Sequence, residues 1–308
     1  MKRIMHDHDH PGYSGQTPTH NAAFAIGVVL NVGFVAAEVV YGLAAHSLAL
    51  ISDAGHNLSD VFCLLLAWGA MHLMKSAPTK RRTYGWRRSS IFAALTNAVI
   101  LLVVVGGITV EAIRRFAEPE EVAGGTVMAV AAIGIGINTA TALLFFSGRS
   151  RDLNLKGAFL HMIGDAAVSL GVVIAAFTIR LTGWQWLDPA VSLGIGAVIV
   201  WGTWGLLRES INLSMDAVPE GIDPHAVEDY LANLKGVTAV HDLHIWAMST
   251  TEVALTVHLV MEEQPRNDLF LHEVGDVLQN RFGIGHATTQ IECGNCERDC
   301  RQAPIHVV

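Results

Sequence analysis

The chain has 308 residues, of which 51% are hydrophobic and only 16% are charged, and its formal net charge is −8. Soluble domains carry roughly 25% charged residues, so this composition excludes a disordered chain, a fibre and a disulfide scaffold, and favours a membrane protein. The negative net charge argues against nucleic acid as a partner.

The first 20 residues are polar and include the run HDHDH. We predict a flexible N-terminal segment over residues 1–20. No small-residue cleavage site precedes the first apolar run, so we expect no cleavable signal peptide. We expect its histidines to bind metal weakly and dispensably, and the alternative is a disordered leader without a function.

Six apolar segments follow, each near the length that a membrane-spanning helix needs. A hydrocarbon core of roughly 30 Å requires about 20 apolar residues in a helix. We therefore predict an all-α membrane domain with six transmembrane helices over residues 21–211. The predicted spans are 21–42, 47–74, 89–113, 122–146, 157–181 and 187–207.

Basic residues in the short connections predict the orientation of these spans. The connection between spans two and three is the most basic, whereas the one between spans one and two has no Lys or Arg. The basic residues of the former are Lys75, Lys80, Arg81, Arg82, Arg87 and Arg88. We expect both termini in the cytoplasm and the protein in the inner (plasma) membrane.

Residues 212–308 have the composition of a small soluble domain. Asp223 can cap a helix that has Pro224 in its first turn. Two β-rich runs, a helix near 267–282 and a last strand, ATTQIE, complete an αββαβ pattern. We predict a cytosolic α+β domain followed by a cysteine-containing tail.

Ionisable residues inside membrane spans are rare and are functional candidates. Span two contains His56 and Asp60, and span five contains His161 and Asp165, each pair in the spacing His-x-x-x-Asp that places both side chains on one helix face. Two imidazoles and two carboxylates form a tetrahedral set for zinc, and the carboxylates neutralise the ion. Protons compete for the same atoms, as an antiporter requires.

The alternative interpretation of these pairs is hydrogen bonding between helices. For Asp53 two roles remain open, orienting a metal ligand or packing between helices. Four other polar residues are interpreted as interfacial or bundle-facing structural residues, namely Glu38, His46, His72 and Glu111. An intramembrane zinc enzyme would need a motif such as H-E-x-x-H, which the sequence lacks, so we expect no enzyme activity.

Long motifs in both halves of the chain resemble the zinc-exporting branch of the cation diffusion facilitator family. They are HSLALISDAGHNLSD, RRTYGWRR, NLKGAFLHMIGD, VHDLHIW and TTQIE. The resemblance implies a homodimer that exports zinc in exchange for protons by alternating access, with a cytosolic domain resembling metallochaperones. It implies that the transport site is His56, Asp60, His161 and Asp165, with cadmium as a co-substrate. Another divalent metal (manganese, iron or cobalt) or a facilitator without proton coupling remains the alternative.

The same resemblance implies metal ligands in the cytosolic domain. His241, His258 and Glu292 match metal-binding positions of relatives, and the two histidines fall on adjacent predicted strands. Three further residues offer soft ligands for a second zinc ion, namely His286, Cys293 and Cys296. We expect zinc in this domain to tighten the dimer and to favour transport, and we interpret His244 as structural.

Overall fold

The structure is a computed structural model, and it describes residues 18–146, 153–263 and 268–293. Six long helices come first, one for each predicted apolar segment, although the second and fourth segments begin one and two residues before their helices. They are α1 (Pro18–Ala44), α2 (Leu48–Met74), α3 (Ser89–Ala117), α4 (Gly124–Phe146), α5 (Leu153–Thr182) and α6 (Leu187–Ser214). The shorter elements α7 (Pro224–Ala232), β1 (Val237–Ala247), β2 (Val253–Met261), α8 (Leu269–Phe282) and β3 (His286–Cys293) follow.

Four helices of the described part of the chain are long and apolar enough to cross a membrane. They are α3, residues Gly124–Leu143 of α4, residues Phe159–Thr182 of α5, and α6. The described apolar part of α1 is shorter, Asn31–Ala44, and α2 carries Asp53, His56 and Asn57 among its apolar residues. A helical membrane domain is therefore observed, with four clear spans of the six that the sequence predicts.

The described residues divide into two compact units, one formed by parts of 1–61 and 108–195 and the other by parts of 62–107 and 196–308. In the first unit α4 packs along α5 and α1 packs against α4. Small residues permit this approach: a Cβ atom on Gly134 would lie 2.4 Å from the ring of Phe34.

The beginning of α2 is fixed to α6 in this first unit. The buried Asp188 carboxylate accepts hydrogen bonds from the Leu48 amide at 2.6 Å and the Ser47 hydroxyl at 2.5 Å. This carboxylate satisfies backbone donors that a helix start leaves without intrahelical partners. One turn further, the Ser52 and Ser192 hydroxyls lie 2.5 Å apart.

The second unit contains the predicted αββαβ element order. Asp223 caps α7 by accepting from the His225 amide at 3.0 Å, as the sequence predicts. Strand β2 pairs antiparallel with β1 and parallel with β3, and α8 connects β2 to β3. Leu231 of α7, Leu255 and Leu259 of β2 and Leu278 of α8 are fully buried in one hydrophobic core between the helices and one face of the sheet.

The start of α3 and the residues just before it contact this αββαβ domain within the second unit. Arg87 forms an ion pair with Glu252 at 2.9 Å, and the Ser90 hydroxyl accepts from the Thr250 amide at 3.1 Å. Ile91 is buried in a small apolar cluster with residues of α6 and β1.

Candidate metal centres

One candidate centre lies between α2 and α5 in the first unit. His56, His161 and Asp165 each offer a ligand atom, and these three atoms lie within 4.8 Å of one another. His56 Nε2 is 3.4 Å from Asp165 Oδ1, and His161 Nε2 is 3.7 Å from Asp165 Oδ2. Ligand atoms around a tetrahedral zinc ion are about 3.4 Å apart for bonds of 2.0–2.2 Å. The three side chains are therefore spaced to bind one divalent ion.

The exposure of these side chains differs in a way that suits an exchangeable ion. The Asp165 side chain is only 3% exposed, whereas those of His56 and His161 are 24% and 41% exposed. The buried carboxylate would attract a cation strongly because little water surrounds it. The more exposed imidazoles leave the ion a path in and out.

The fourth predicted ligand, Asp60, lies on α2 one turn after His56. Its side chain lies outside the part of the chain that the structure describes. The structure thus brings together three of the four predicted ligands, and the fourth remains a prediction.

A buried polar network lies beside this centre and contains two carboxylates outside the predicted set of four ligands. Asp53 on α2 accepts a hydrogen bond from the Ser169 hydroxyl of α5 at 2.9 Å. Glu38 on α1 accepts from the Asn57 amide of α2 at 3.0 Å. Both carboxylates are completely buried. Glu38 therefore faces the interior of the helix bundle. A single glutamate inside an apolar span was the signal in the sequence that could have identified this position.

A second candidate centre lies on the sheet. His241 of β1 is the register partner of His258 of β2, and Glu292 of β3 is the partner of Val260, two residues beyond His258. Alternation along β2 places His258 on the sheet face opposite the buried Val257 and Leu259. The predicted triad therefore lies on the face away from the hydrophobic core.

The Glu292 carboxylate bridges the two imidazoles of this triad. Its Oε2 is 3.1 Å from His241 Nε2, and its Oε1 is 3.0 Å from His258 Nδ1. The three ligand atoms lie within 4.8 Å of one another, and each side chain is at most 20% exposed. The two imidazoles and the carboxylate are therefore placed to bind one divalent ion.

Asp242 is a participant that the sequence analysis missed. Its backbone adopts the left-handed conformation, φ 53°, where the pairing of β1 with β2 is irregular. Aspartate tolerates this conformation better than most residues. The carboxylate lies 3.0 Å from His244 Nε2 and 3.5 Å from His258 Nε2. It can thus orient His258, and the position of an aspartate between two histidines in VHDLHIW was the available signal.

The described residues do not bring together two of the ligands predicted for a second zinc site in this domain. His286 and Cys293 are the first and last residues of β3, which separates them by about 23 Å at 3.3 Å per residue. The prediction that both bind one ion is therefore wrong for a single chain. The Cys293 side chain and the whole of Cys296 lie outside the described residues, as does the N-terminal HDHDH run.

Comparisons with known proteins agree along nearly the whole chain. Residues 24–213 match the cation efflux transmembrane domain, and residues 219–293 match the cation efflux protein cytoplasmic domain. The chain belongs to the cation efflux family. The family resemblance seen in the sequence is confirmed, and the chain is a multi-pass membrane protein with a C-terminal domain of the family's cytoplasmic type.

Several relatives of the cation efflux family match over almost their full length. The metal cation efflux system protein CzcD of Cupriavidus metallidurans is 38% identical over 95% of this chain and 91% of that protein. The zinc transporter ZitB of Escherichia coli is 35% identical over 96% of both chains. The cadmium, cobalt and zinc/H(+)-K(+) antiporter of Bacillus subtilis is 32% identical over 91% of this chain and 92% of that protein. The solved metal-bound C-terminal domain of CzcD is 36% identical over 23% of this chain and 99% of that structure, with a TM-score of 0.22.

Proposed function

We propose that this protein exports zinc, and also cadmium, from the cytoplasm in exchange for protons. The transport site would consist of His56 and Asp60 on α2 with His161 and Asp165 on α5. The observation that carries the proposal is the convergence of His56, His161 and Asp165, with ligand atoms within 4.8 Å of one another, between two helices of the membrane domain. Relatives named as zinc transporters and as a zinc antiporter support the same function.

The chemistry of the four side chains explains the exchange. Two imidazoles and two carboxylates prefer zinc or cadmium to harder ions, and the carboxylates balance the charge of a divalent cation in a low-dielectric environment. When the ion leaves, protons can take its place on the same atoms. The proton gradient then drives metal out of the cell as the site opens alternately to each side.

The proposed topology has six spans, both termini in the cytoplasm and the inner (plasma) membrane as location. The basic connection between α2 and α3 supports this orientation. The proposed domain boundaries are a 1–20 leader, a 21–211 membrane domain and a 212–308 cytosolic domain.

The proposed assembly is a homodimer whose cytosolic domains also bind zinc. The ligands would be His241, His258 and Glu292, which lie together on one face of the sheet. Zinc bound there would favour transport if it binds more tightly to the active state than to the resting one. Such a second ion would be regulatory rather than transported.

Transport assays in proteoliposomes test the proposal. The purified protein, with a zinc-sensitive dye and a pH-sensitive dye inside the vesicles, should move zinc when only a proton gradient is imposed. Asp165→Asn should abolish this flux, because it removes a buried ligand charge. Asp229→Asn, the same change at an exposed position of α7, should not.

Metal selectivity separates the proposal from its alternatives. His161→Asp should reduce zinc flux and raise manganese or iron flux relative to it, since a carboxylate is a harder ligand than imidazole. Zinc flux that does not depend on the proton gradient would identify a facilitator without proton coupling. A parent protein that carries manganese or iron in preference to zinc would refute zinc as the substrate.

A further inference from the structure

The buried network beside the transport site contains two neighbouring carboxyl groups. Glu38 on α1 and Asp53 on α2 are both fully buried. Glu38 accepts from the side chain of Asn57, which lies one helical turn after Asp53 on the same face of α2. One oxygen of each is already occupied: Glu38 Oε2 accepts from Asn57, and Asp53 Oδ2 accepts from Ser169.

The remaining oxygen of each carboxyl group has no donor within the described ranges. Glu38 Oε1 and Asp53 Oδ1 are both buried and lack a hydrogen-bond partner among the described residues. Two neighbouring ionised carboxylates repel each other, and burial makes that repulsion severe. A proton between the two free oxygens would supply the missing donor and remove one charge, as in pairs of acids that share a proton.

Two titratable groups of the proposed transport site face this pair from α2 and α5. They are His56, which can offset one negative charge, and Asp165, which adds one. Helix α4, which packs against α1 and α5, has no titratable residue in its 23 positions. His56 and Asp165 offset each other, so two ionised carboxylates at the pair would keep an excess negative charge that one shared proton reduces.

We propose that Glu38 and Asp53 share one proton and form a proton-binding site, separate from the metal ligands, whose proton is exchanged during transport. The proposal rests on the proposed function, because it assigns part of the proton exchange to this pair. The network joins α1, α2 and α5. A movement of α1 relative to the other two helices would separate the carboxyl groups and release the proton.

Infrared spectroscopy of the full-length protein in vesicles tests whether the pair holds a proton. The metal-free parent should show the C=O stretch of a protonated carboxylic acid that is missing from the double variant Glu38→Gln, Asp53→Asn. The control Glu111→Gln should retain the band, because Glu111 is ion-paired with Arg114 and Arg115. Equal bands in the parent and the double variant would overturn the proposal.

The number of protons exchanged per zinc ion tests whether that proton takes part in transport. Glu38→Gln keeps a donor facing Asp53 but removes the shared proton, so its proton-to-zinc ratio should fall by about one relative to the parent and to Glu111→Gln. An unchanged ratio would overturn the proposal. If Glu38→Gln moves no zinc, the infrared band alone decides whether the pair holds a proton. A parent that moves zinc without protons would instead refute the proposed function.

Discussion

Replacing Glu292 by glutamine tests the metal centre proposed for the sheet, because the Glu292 carboxylate contacts both of the histidines that would bind the ion. The carboxylate lies 3.1 Å from one imidazole and 3.0 Å from the other, and it is the only acid among the three ligands that converge in the described part of the sheet. Glutamine keeps the size of the side chain but removes the negative charge and makes a poor zinc ligand.

The size of the effect follows from the ligand count. Structural zinc sites with four ligands contribute about 10–16 kcal/mol, or roughly 3 kcal/mol per ligand. At 1.4 kcal/mol for each factor of ten, losing the carboxylate should weaken zinc binding at this centre about 100-fold. The fold should survive, because the triad lies on the sheet face opposite the core.

Equilibrium zinc titration of the purified full-length protein against a fluorescent chelator measures this change. The parent should show a binding phase that Glu292→Gln weakens about 100-fold, beside a phase from the membrane site that it leaves in place. Glu262→Gln, the same change at an exposed position just after β2, is the matched control. Identical isotherms for Glu292→Gln and the control would refute the assignment of this centre.

Two further predictions concern packing. Gly134→Ala should lower the free energy of unfolding of the purified protein by about 1–3 kcal/mol in thermal unfolding, because its Cβ atom would lie 2.4 Å from the Phe34 ring. Gly136→Ala has no atom within 4 Å of its Cβ position and should not lower it. Equal stabilities of the two variants would contradict the close approach of α1 and α4. Leu278→Ala should destabilise the αββαβ domain by about 2–5 kcal/mol, measured by denaturant unfolding followed by hydrogen exchange. Leu269→Ala should change the stability of the domain little, because Leu269 is 60% exposed. A smaller loss of stability at Leu278 than at Leu269 would show that the core is misassigned.

Local patterns predicted the secondary structure well because each signal acts within a few residues. The six apolar segments are helical, and Asp223 caps α7 as its position before Pro224 suggests. The spacing His-x-x-x-Asp places His161 and Asp165 on one helix face, and the structure finds their ligand atoms 3.7 Å apart.

Features that depend on three-dimensional context could not be predicted in the same way. The buried position of Glu38 depends on how α1 packs against its neighbours, which its own helix does not encode. Asp242 reaches His258 only because an irregular pairing of β1 with β2 accompanies its left-handed backbone. His286 and Cys293 are near each other in the sequence, but they stand at the two ends of the extended strand β3, which keeps them about 23 Å apart.

Zinc-edge X-ray absorption is the most direct test of the central claim, that α2 and α5 together hold one divalent ion through two imidazoles and two carboxylates. The measurement uses the full-length Glu292→Gln protein loaded with one zinc ion per chain, so that the membrane site dominates. We expect four nitrogen and oxygen ligands at roughly 2.0–2.2 Å, with multiple scattering from two imidazoles that falls to one in the added variant His56→Ala. Sulfur ligands near 2.3 Å, or a spectrum that His56→Ala leaves unchanged, would contradict the assignment.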